Sequence, residues 1–144
     1  MLEINFECLN YASTRIESLL PFSTERIQSL EVEQISFIDL YIFRFSKIQD
    51  IMGEKLFRMI LESVKEETES FAFINIRAKL EQLEVLPDKT EWLYLRKLRN
   101  EESHEYPLVD EEAVAALNNL INSREKLAEY YKSCIDYLEK RSLK

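Results

Sequence analysis

The single histidine of the chain, His104, stands in the run Leu98-Arg99-Asn100-Glu101-Glu102-Ser103-His104-Glu105-Tyr106-Pro107. Imidazole is the side chain whose ordinary titration falls near neutral pH, so it can both take and give a proton. Arg99 is a permanent cation with a planar fork of donors that matches a phosphate. Together the two residue types suit proton transfer at a phosphate whose negative charge grows during reaction. Arg96, Lys97 and Arg99 form the densest basic patch in the sequence, and it surrounds the only imidazole. Arg96 and Lys97 are accordingly candidate phosphate contacts.

The spacing allows convergence only if the helix carrying Arg99 loosens. Arg99 and Ser103 are four apart and share a helix face. On an unbroken helix His104 would point roughly 140° away from Arg99. Pro107 disfavours helix at Tyr106. The expected loosening at Ser103 to Glu105 lets His104 swing back, and an extended stretch then places His104 and Tyr106 on one side. A helix C-terminus and the carboxylates of Glu101, Glu102 and Glu105 all favour the imidazolium, so the His104 pKa is expected near or above neutrality. Plainer roles stand beside these: His104 as a cap or surface residue, Arg99 as half of a surface pair, Asn100 as a loop hydrogen-bonder, Tyr106 as a packing aromatic.

The elements that must position this segment read as helices. One Gly and three Pro in 144 residues leave few tight turns for a sheet. A first helix is expected from Ile4 to Leu20, with Ile4, Cys8, Tyr11, Ala12 and Ile16 inward and Pro21 ending it. Ser23 or Thr24 can cap a short turn. A long second helix is expected from Val32 to Lys65, apolar on most sides around Ile35 to Phe45, with Gly53 permitting a bend or a close approach. Arg44, Lys47 and Asp50 interrupt it, as a solvated strip with a Lys47–Asp50 pair or as a polar groove or dimer seam. A helix follows from Ala72 to Val85, then one from Lys89 to Ser103 capped by Asp88 with Glu91, then a last helix that begins after Asp110, whose side chain can cap it, and runs to Lys140. Phe37, Phe43, Phe57 and Trp92 read as core. The expectation is one all-α domain over residues 1–144, an up-and-down bundle of four to five helices.

The formal net charge is -8. Such a chain repels a phosphate backbone at long range, so an RNA-directed function needs a local basic patch. Cys8 and Cys134 fit no CxxC pattern and read as reduced thiols. One His and two scattered Cys make no metal cluster, and no stretch reads as a signal peptide or a membrane span. The expectations are no metal, no cofactor, no membrane and a cytoplasmic location.

Arg99-Asn100, four residues between Arg99 and His104, and Tyr106 two beyond the histidine resemble the R-x4-H-x-Y motif of HepT-like HEPN toxins. The motif's place on the penultimate helix of a small helical domain, before a long last helix, is similar as well. The resemblance implies a metal-independent endoribonuclease toxin that cleaves by attack of the ribose 2′-OH. His104 is then the acid/base, Arg99 the stabiliser of the phosphorane, and Asn100 the orienting group. It further implies a homodimer with both copies of Arg99 and His104 lining one cleft. The partner it implies is a MntA-like nucleotidyltransferase antitoxin that attaches AMP to Tyr106. A second reading from the same resemblance is a non-catalytic HEPN subunit accessory to a nucleotidyltransferase.

Overall fold

The computed structural model describes residues 2–64, 92–97 and 111–142. Among them every regular element is helical and no strand occurs. The helices are α1 (Leu2–Ile16), α2 (Thr24–Gln28), α3 (Val32–Ile51), α4 (Phe57–Val64), α5 (residues 92–97), α6 (Glu111–Asn122) and α7 (Arg124–Ser142). They fall into two compact units: Met1–Ile48 with Tyr94–Arg124, and Gln49–Leu93 with Glu125–Lys144. The expected helix from Ala72 to Val85 and the Asp88–Glu91 cap lie outside the described residues.

In the first unit, α1 buries Leu2, Asn5, Leu9, Ala12 and Ile16, a stripe stepping by three and four. This corrects the sequence reading. Ala12 and Ile16 are inward as expected, but Ile4 is 54% exposed, Tyr11 is exposed and Cys8 is half-buried, because Leu2, Asn5 and Leu9 take the other inward positions. Asn5 was the missing clue. Its amide carbonyl accepts from Arg44 of α3 at 2.8 Å, so a polar residue occupies an inward position. Tyr11 meets Phe37 edge-on at 5.7 Å. The pairings 5 with 44 and 11 with 37 make α1 and α3 antiparallel.

The α1 helix tightens into a 3-10 turn at Glu17–Leu19 and stops where Leu20, preceding Pro21, becomes extended. Ser23 caps α2 by accepting from the Arg26 N–H at 3.1 Å. Between them, Phe22 inserts its side chain into the core. Asn118 of α6 accepts from the Phe22 N–H at 2.8 Å and donates to the Phe22 carbonyl at 2.9 Å. One side-chain amide thus satisfies both backbone groups of a residue that has left the helix. At the start of α3, the Gln34 carbonyl reaches back to the Glu31 N–H at 2.9 Å, half of a capping box.

The long second helix is continuous, but a π turn over Met52–Leu56 separates α3 from α4. The Phe57 N–H donates to the Met52 carbonyl, five residues back. Gly53 is buried inside this turn, where a side chain would need extra room. In the second unit, Trp92 is fully buried, its ring 5.0 Å from that of Phe57 and 5.8 Å from that of Tyr130. Gln49 is also fully buried; among the described residues neither atom of its amide nor the Trp92 indole N–H has a hydrogen-bond partner.

The last helix expected as one piece is two, broken at Ser123. Short polar side chains cluster there: Asn118, Asn119, Asn122 and Ser123. Such residues bond locally to the backbone in competition with the helix. The Ser123 N–H turns back to the Leu120 carbonyl at 3.2 Å, and its hydroxyl donates to Asn119 at 2.6 Å. Tyr41, fully buried on α3, lays its hydroxyl 2.9 Å from the carbonyls of both Leu120 and Ile121. Burial pushes this phenol far above its ordinary range, against a smaller opposite pull from Arg124, so it stays a donor at physiological pH. Tyr41→Phe is expected to cost about 1–3 kcal/mol, because two helix-end carbonyls lose a buried donor; urea denaturation reads it directly. After the break, Tyr130 and Cys134 face inward, whereas Tyr131 is only half-buried. Burial pushes the Cys134 thiol up to about 12.

Candidate functional site

Arg99, Asn100, His104 and Tyr106 lie outside the described residues. Of the sequence-derived site, Arg96 and Lys97 are placed, on α5. Trp92 and Leu95 bury their side chains, three positions apart. Leu93, Tyr94 and Lys97 are exposed, and Arg96 is half-buried. A short stretch with two deep anchors and an outward basic side chain is fixed in rotation about its own axis.

Sequence reasoning missed Tyr94. Its ring is 46% exposed, and its hydroxyl oxygen accepts from the Asn119 amide of α6 at 3.3 Å.

In the Arg44–Lys47 strip, Lys47 is exposed and Arg44 half-buried. Phe43, expected in the core, is 54% exposed. Arg44 stands 5.4 Å and Lys47 5.8 Å from its ring centre, both within cation–π range. The cause is register. Ile38, Tyr41, Ile42, Phe45 and Ile48 fill the inward face of α3, and position 43 falls opposite it. Phe57 and Trp92 are core, as expected.

Along α1 an open groove of about 650 Å3 is lined by Glu7, Asn10, Tyr11, Thr14 and Arg15. Arg15 sits 5.0 Å from the centre of the Tyr11 ring, and Arg124 donates to the Asn10 carbonyl at 2.8 Å. These cations are held by an aromatic face and a neutral amide rather than by carboxylates. Among the described residues no group of three or more His, Cys, Asp or Glu could hold a metal ion, and no helix is long and apolar enough to cross a membrane. No family model, no curated protein and no solved structure matches this chain.

Proposed function

We propose that the chain is an RNA-cleaving protein of the HEPN type, with Arg99, Asn100 and His104 as its reacting groups. The observation that carries this reading is the pattern Arg99-Asn100-x2-Ser103-His104-x-Tyr106 in a chain whose described residues are helical and which has a single histidine. The helical character of the described residues and the exposed Lys97, two positions before Arg99, support it.

In the proposed reaction a base removes the proton of a ribose 2′-OH. The freed oxygen attacks the adjacent phosphorus, and the bond from phosphorus to the 5′-oxygen breaks. An acid then protonates that 5′-oxygen, leaving a 2′,3′-cyclic phosphate and a 5′-hydroxyl end. Arg99 neutralises the charge on the crowded phosphorane. One imidazole serves poorly as base and acid in the same turnover. Two protomers about a two-fold axis supply two, so the active species is a homodimer. The test is cleavage of a fluorogenic RNA in excess chelator, comparing the wild type with His104→Ala.

Control of the site is proposed to come from a MntA-like nucleotidyltransferase partner. The Tyr106 phenol oxygen attacks the α-phosphorus of ATP, and pyrophosphate leaves. The attached AMP brings negative charge and a bulky base within two residues of His104, where it competes with RNA for Arg99. Mass spectrometry of the co-expressed pair should find Tyr106 heavier by one or more AMP units. A Tyr106→Phe chain should remain toxic and unmodified. AMP found only on another residue would remove Tyr106 from the scheme.

One observation favours a second reading, a non-catalytic HEPN subunit that binds a nucleotidyltransferase. The formal charge of -8 opposes RNA binding at long range. That reading predicts identical, negligible RNA turnover in the wild type and in His104→Ala.

A further inference from the structure

We draw no further inference here: the strongest candidate, the open groove along α1 where Arg15 rests on the Tyr11 and Phe37 rings, is lined by Glu7 as well as by Arg15, so its charge selects no ligand, and nothing in the structure shows what covers it.

Discussion

On the proposed ribonuclease reading, His104→Ala should lower RNA cleavage by roughly a hundredfold to ten-thousandfold, the span that a positioned acid–base group contributes. No second imidazole exists in the chain to take over the proton. In a homodimer the substitution removes both copies at once, so the loss should sit at the upper end of that range. The fall should appear in kcat, since the imidazole acts on moving protons rather than on the resting phosphate. Arg99→Lys should also be costly. An ammonium keeps the charge but lacks the planar fork that holds two phosphate oxygens. Expression of the wild type alone should arrest growth, and expression of His104→Ala should not. Equal turnover by the two chains would end the catalytic reading and leave the binding subunit.

Trp92→Ala should destabilise the chain by about 3–5 kcal/mol, the usual cost of emptying a large aromatic site. Trp92 is fully buried and contacts the rings of Phe57 and Tyr130. Its removal deletes two aromatic contacts and leaves a void that neighbouring helices fill only in part. For a domain of this size that is a large share of the net stability. Trp92→Phe should cost far less, about 1 kcal/mol. It loses part of the ring, but it also removes a buried N–H that has no partner among the described residues. Urea denaturation of both variants gives the comparison. A Trp92→Phe as damaging as Trp92→Ala would mean that the indole N–H is satisfied and valued.

Composition made the helical class legible. A chain with one Gly and three Pro has few ways to reverse a strand, and the described residues are helical. The start of the second helix at Val32, the role of Ser23 as a cap and the stop at Pro21 followed from rules on single residues. Rotation about the helix axis was harder to read. Asn5 is polar yet inward, while Ile4 and Phe43 are apolar yet outward, so simple hydrophobic periodicity placed Ala12 and Ile16 but misplaced positions 4 and 43. The break at Ser123 was hidden because its stabilising donor, the Tyr41 hydroxyl, comes from a helix about 80 residues away. No local pattern encodes a partner at that distance. For the candidate site, the sequence supplied Arg96 and Lys97 as a basic patch, and the structure placed both on α5. It did not supply the contact between Tyr94 and Asn119, which joins two helices 25 residues apart in the chain.

The clasp between Phe22 and Asn118 spans 96 residues of chain. During synthesis, α1 and the turn that follows it leave the ribosome long before the amide that completes them exists. Until Asn118 emerges, the Phe22 backbone groups must bond to water, which holds its ring near the solvent. The first unit therefore closes late, and a nascent chain halted before α6 would display the apolar faces of α1 and α3 to whatever chaperone waits at the tunnel exit.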